Sequence, residues 1–328
     1  MRYEHRKALK AIVGLMIAAF LLLVLSAAIG TKMIPPMDVL KVLFGGGNKA
    51  DSLIILKFRL PRIATAALVG AALALSGAIL QGIVRNPLAS PDIIGVTGGA
   101  SVAAVIFINL FQQASIVWLP PAAFAGAILV TGLIYFLAYK KGISSMRLVL
   151  VGVGINAVTT AFTTLFIVSS PTQLTAKAFI WLTGSVYGSS WTTVLTILPW
   201  TLLLFLLALL YGARMNLLQL GDDVATGAGT PVSNSRTALL AISAGLAGSA
   251  VAVAGAVGFV ALLAPHIARK LVGPSFGVLL PASALAGACI VMLGDFIARS
   301  AFSPLDLPVG IFTAAVGAPF FIYLLRRQ

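Results

Sequence analysis

Apolar runs long enough to cross a bilayer fall near 11–30, 61–84, 93–111, 117–139, 147–168, 192–212, 236–257, 278–298 and 307–325. Each predicts a transmembrane helix. A tenth run, from Phe259 to about Lys270, is shorter and contains Pro265, which predicts a short or broken helix. The apolar stretch around Ala176–Val186 predicts a partial helix that does not cross. Glycine and alanine recur inside the runs, as in Gly70-Ala-Ala-Leu-Ala-Leu-Ser-Gly77 and in 282–288. Such small-residue spacing lets helix backbones approach closely. The expected fold is an all-α integral membrane protein, with about ten transmembrane helices in one compact bundle over residues 1–328.

The pattern is interrupted once at length, by the polar stretch 212–236, GARMNLLQLGDDVATGAGTPVSNSR. Two short helices are predicted there. Asn216 suits the N-cap of a turn containing Leu217, Leu218 and Leu220, which Gly221 breaks. Asp222 and Asp223 suit the positive end of a second turn, closed by Gly227, Gly229 and Pro231. A helical elbow, apolar on one side and acidic at its tip, fits a docking surface for a soluble partner. An ordinary surface connector would have the same features.

Composition reinforces the membrane reading: 60% of residues are hydrophobic, 9% are charged, and mean hydropathy is +1.07. The net charge of +14 does not point to nucleic acid, because so apolar a chain has no room for a basic binding face. It follows instead from the asymmetry of loops around membrane spans. The basic N-terminus precedes an apolar run too long for a signal peptide and without a small-residue cleavage site, so it reads as a retained first span. Ten crossings place both termini on one side. That side then holds Arg2, Arg6, Lys7, Lys10, Arg85, Lys140, Lys141, Arg147, Arg214, Arg236, Arg269, Lys270, Arg326 and Arg327, fourteen of the 22 basic residues. It is therefore expected to be cytoplasmic, in a plasma (bacterial inner) membrane.

Three of the eight basic residues left outside are arginines at span ends: Arg59 and Arg62 in KFRLPR, and Arg299 in DFIARS. They fit either snorkelling at the interface or an outward cluster awaiting carboxylates. Asp295 lies one turn from Arg299, close enough to be neutralised by it. Catalytic chemistry is not indicated. No GxxxxGK[ST] occurs, and Gly45-Gly-Gly-Asn-Lys-Ala fails the spacing. No Ser–His–Asp pattern and no paired carboxylate in a plausible cleft is present, and the single cysteine, Cys289, excludes a disulfide framework or cysteine metal cluster. His266 reads as a hydrogen-bonded structural residue. No metal, cofactor or catalytic residue is expected. The middles of the spans hold no Asp, Glu, Lys or Arg, whereas ion-coupled carriers usually need one there.

KFRLPRIATAALVGAALALSGAILQGIVRNPLASPDIIGVTGGA resembles the signature of the iron-siderophore and vitamin B12 permease family of ATP-binding-cassette (ABC) importers. So does the C-terminal stretch containing GFVALLAPHIARKLVG and DFIARSAFSPLDLPVGIFTAAVGAPFFIYLLRR, and MNLLQLGDDVATGAG looks like the family's coupling segment between the sixth and seventh spans. The resemblance implies a second permease subunit around a shared central pathway. It also implies two cytoplasmic ATPases below and a substrate-binding protein outside. Carried over by position, Arg59, Arg62 and Arg299 match the arginines that receive acidic residues of the binding protein. Asn86 and Leu88 match the inner constriction, Ser145 and Met146 fall where a second cytoplasmic gate lies, and 215–229 matches the segment seated in the ATPase. The sequence departs from the family at 274–277, where Pro-Ser-Phe-Gly replaces a charged run, at Ala261, and at Gly-Asp-Asp in place of Gly-Glu-Glu. Ferric siderophores are the expected cargo, with vitamin B12 and haem as alternatives. A self-sufficient carrier or channel is the reading from a different class.

Overall fold

A computed structural model describes residues 2–30, 32–140, 144–302 and 305–327. The described residues are helical with short connections. α1 (Arg2–Ala28) leads to two small helices, α2 (Pro36–Leu43) and α3 (Lys49–Leu53). A π-helical turn, Ile54–Arg59, opens α4 (Leu60–Val84). There follow α5 (Val96–Leu110), α6 (Leu119–Ala138), α7 (Ser145–Val168), α8 (Thr172–Thr183) and α9 (Trp191–Leu210). The elbow comprises α10 (Gly212–Leu220) and α11 (Asp222–Gly227). α12 (Val232–Ala254), α13 (Val260–Val272), α14 (Phe276–Ala301) and α15 (Val309–Arg327) complete the chain.

Among the described residues, seven helices are long and apolar enough to span a membrane; α5 is a shorter apolar helix, and α15 is apolar over 309–322. The run expected to be broken is α13, 13 residues with Pro265 inside, which at about 1.5 Å per residue falls short of a bilayer. The partial helix is α8, 12 residues long. Its end returns to the ends of other helices, because the Ser185 amide donates to the Ala254 carbonyl and Gly310 donates to Gly184.

Burial separates centre from periphery. In the spans around α4 and α12, 78% of residues are buried, against 17–22% in α1, α6, α7 and α9. The outer four therefore show their apolar sides to lipid or to another chain. At the centre, α4 and α14 touch backbone to backbone: a Cβ on Gly70 would lie 2.1 Å from the Gly287 carbonyl oxygen. Only glycine allows that approach. α4 is joined to α12 by Ser76, whose hydroxyl donates to the Ser243 carbonyl at 2.9 Å. Buried in a helical bundle, such polar contacts between helices act as local glue.

Two stretches depart from helix inside the bundle. The segment 85–95, irregular except for a 3-10 turn at Pro91–Ile94, runs along α7, where the Asn156 side chain donates to the Asp92 carbonyl. The segment 255–259 precedes α13 and ends at Phe259, a non-glycine residue with φ 65°. Irregular backbone at membrane depth is tolerated where protein surrounds it or where it lines a cavity.

Candidate functional site

Hydrogen bonds order the bundle into two charged ends. At the first end, the C-terminus of α1, the start of α4, the end of α14 and the approach to α15 converge. Arg59 is 7% exposed and donates to the carbonyls of Ala27, at 2.5 Å, and Ala28, at 3.1 Å, and also to Lys32. It thus caps the C-terminal carbonyls that α1 leaves unpaired. Arg62 grips Asp295 through Nε and Nη2, at 2.8–3.1 Å, and its Nη1 donates to Asp306 at 3.0 Å. The Tyr187 ring lies 5.6 Å from its guanidinium. Arg299 donates to the Ser26 carbonyl, and its Nε stands 3.8 Å from Asp295. The three arginines expected at this rim are therefore brought together. The partner of Asp295 expected from sequence, Arg299, is the weaker one; Arg62, on a different helix, holds the carboxylate.

At the opposite end lies the elbow. Gly221, at φ 125° and ψ 157°, separates α10 from α11, as the pattern predicted. Asn216 is not an N-cap, because α10 already begins at Gly212. Its side-chain oxygen instead accepts from the Phe276 amide at 2.9 Å, satisfying the start of α14. Nor do the three leucines share one free face. Leu218 is 1% exposed and belongs to this chain's core, Leu217 is half-buried, and Leu220 is 67% exposed. Asp222 is held by Arg236, with both carboxylate oxygens accepting at 2.8 and 2.9 Å, and also by Arg85. Asp223, Val224 and Leu220 remain exposed. A partner seated on the elbow would meet those three, with Leu218 and Asp222 facing inward.

Asn86 and Leu88 follow the end of α4 directly. The Asn86 side chain accepts from the Leu88 amide at 2.9 Å, an Asx-turn that stiffens the bend. Pro87 and Leu88 line an apolar cleft with Phe259, Leu262, His266 and Phe321, so both irregular segments reach the same place. His266 meets the Phe320 ring edge-on at 5.9 Å. Met146 is 69% exposed on the first turn of α7, while the Ser145 side chain lies outside the described residues. Sequence reasoning missed Arg85, Arg236 and Asp306 as site residues. The signal for Arg85 was present: a lone arginine sits between a long apolar helix and an Asn-Pro bend.

The termini can be assigned to an end. α1 finishes at the arginine rim, so its N-terminus points to the elbow end. α15 starts beside Gly184 at the rim, and Phe321 reaches the Leu88 cleft near the elbow. The start of α1, the end of α15 and the elbow therefore share one end.

A helical bundle with glycine-tight packing, apolar outer helices, a two-helix handle at one end and a charged rim at the other is the architecture of a multi-pass membrane protein. The profile of the FecCD transport family matches residues 16–327, and the chain belongs to that family. The chain is 50% identical over 311 residues to the probable siderophore transport system permease protein YfhA of Bacillus subtilis (strain 168), covering 93% of this chain and 91% of that one. It is 42% identical to the iron(3+)-hydroxamate import system permease protein FhuG of the same organism, covering 95% and 96%. Among solved structures it matches a metal-chelate type ABC transporter in an inward-facing conformation, with TM-score 0.88, 33% identity and 97% and 99% coverage. The expected family and all-α membrane class are thus established, and the chain is a transport permease, not an enzyme.

Proposed function

We propose that this chain forms the translocation pathway of an ABC importer for a ferric siderophore. The cargo is delivered by a substrate-binding protein at the arginine rim and moved by separate ATPases docked on the elbow. The observation that carries this reading is the elbow: a two-helix handle tied by side chains to α4, α12 and α14 and exposing Leu220, Asp223 and Val224. A motor outside the membrane needs a stiff attachment of that kind, and the chain has no P-loop of its own. The ferric cargo rests on relatives named for siderophore and iron(3+)-hydroxamate transport. Two copies of this chain, or this chain and a related permease, enclose the pathway, with the exposed apolar faces of α6, α7 and α9 toward lipid or partner. Asn86, Leu88, Ser145 and Met146 gate it on the elbow side.

The elbow end, with both termini, is the cytoplasmic side, in keeping with its basic excess. Reporter fusions after Arg236 and at the C-terminus should both report cytoplasm. The deciding experiment reconstitutes the chain with its cognate binding protein and ATPase, then compares uptake of a ferric siderophore, cobalamin and haem. ATP-dependent uptake of the siderophore alone is expected. Preference for cobalamin or haem would replace the cargo, and uptake without any ATPase would replace the importer by a carrier.

A further inference from the structure

The reading above leaves one residue at the elbow end without a role. Arg85 ends α4 with φ 55° and ψ 37°, the left-handed region that an arginine rarely adopts. Its side chain spans the elbow's break: Nε donates to the Leu218 carbonyl on α10 at 2.8 Å, and the guanidinium pairs with Asp222 on α11. The next residue is Asn86, whose side chain braces the bend carrying Leu88. α4 itself is buried almost throughout and locked to α14 at Gly70, so it cannot follow the elbow freely.

We infer that Arg85 is the positioning residue that fastens the elbow to the 86–88 bend, so that displacement of the elbow moves Leu88. The inference rests on the importer reading above. A planar guanidinium suits the task because one fork can hold a carbonyl and a carboxylate at fixed angles, which an ammonium cannot. The left-handed backbone at Arg85 is where the rigid α4 passes into a segment that can turn. The link is short: between the elbow and Leu88 stand only the Arg85 side chain and two residues of backbone.

The test uses the reconstituted importer: labelling is read in a Cys289→Ser background with Leu88→Cys as a reporter of the bend, and ATP per cargo is read with Leu88 intact. Arg85→Gly removes the fork while keeping a residue at ease in the left-handed region. Arg85→Lys keeps the charge but not the fork. With Arg85 intact, a non-hydrolysable ATP analogue should change the rate at which Cys at position 88 reacts with a charged maleimide. In Arg85→Gly that response should vanish, and ATP hydrolysed per cargo molecule should rise as cargo moved per ATP falls toward zero. ATPase co-purification should persist, and Arg85→Lys should fall between. A preserved labelling response with wild-type stoichiometry in Arg85→Gly would overturn the inference. So would loss of the ATPase from Arg85→Gly, which would make Arg85 a docking support. Failure of the importer reading looks different: the unmutated chain would then retain no ATPase, and the inference would fall with it.

Discussion

Both ends of the bundle tie helices together with arginine and aspartate, yet they do so in opposite environments. At the rim, Arg62 and Asp295 are 14% and 4% exposed and joined bidentately. At the elbow, Asp222 is 46% exposed and shared between Arg236 and Arg85. A buried pair is hard to break one-sidedly, because the survivor is left as an uncompensated charge. The Arg85–Asp222 pair, 36% and 46% exposed, can exchange its partner for water at little cost. The rim is therefore a fixed frame, whereas the elbow, stiff in itself, meets the end of α4 through an adjustable joint at Asp222, which is the arrangement expected if delivery happens at one end and driven motion at the other.

The sharpest way to break this contrast is at Asp295. Asp295→Asn should leave Arg62 beside Arg299 and Arg59 with only the part-exposed Asp306 as a counter-charge, and cost about 3–5 kcal/mol of stability. Thermal unfolding in detergent would record a large fall in midpoint. The double variant Arg62→Met with Asp295→Leu should recover most of the loss, since similar-sized apolar groups replace both charges. A small effect of the single variant would mean that water reaches the pair and that the rim is no more fixed than the elbow.

Asp222→Asn tests the other end. Asparagine still accepts one hydrogen bond and the site is half open, so the loss should be smaller, about 1.5–3 kcal/mol. Uptake should fall further than stability does, because Arg85 and Arg236 then compete for one neutral acceptor. Equal losses at Asp222 and Asp295 in the same melting assay would remove the distinction between joint and frame.

Between the ends runs the α4–α14 seam. Gly70→Ala should cost about 1–3 kcal/mol through overpacking against the Gly287 carbonyl. A wild-type melting curve would show that the two helices can part, and with it that α4 is no rigid connection.

The membrane helices were legible because hydropathy alone decides whether a segment can leave water, and that signal is local. The break at Gly221 was legible for the same reason. What escaped depended on contacts between distant parts of the chain. Asp295 has Arg299 four residues away, so a local pair was the natural expectation, but Arg62, 233 positions distant, lies where the carboxylate points. Asn216 has a capping side chain, yet the helix it caps begins at Phe276. The leucines of the elbow were a different kind of miss. Successive helical residues turn by about 100°, so Leu218 and Leu220 lie on nearly opposite faces, and the 3.6-residue period already separates the buried one from the exposed one. Arg59 lies beside Arg62 and Arg299, but the sequence could not say that the end of α1 would draw its guanidinium inward.

The smallest effect is predicted at Asp306, and it tests the proposed docking at the rim. Among the rim residues, Arg59, Arg62 and Arg299 stand against Asp295 and Asp306, leaving one positive charge over, three less two. Asp306 is 36% exposed and takes one edge of Arg62, so it occupies the position an acidic residue of a binding protein would approach. Asp306→Asn frees that edge and raises the excess to two. Exposed pairs are worth about 0.2–1 kcal/mol, so docking should tighten by about 1.4- to 5-fold. The gain should sit mainly in the association rate, since extra charge at the edge of an interface steers encounter. Salt separates this from a structural effect: at about 1 M ionic strength the screening length is about 3 Å, and the variant and the unmodified chain should bind alike. Surface plasmon resonance across a salt series would read both features. Weaker docking by Asp306→Asn at every salt concentration would mean that Asp306 orients Arg62 for its partner, and the rim would then work by geometry and not by excess charge.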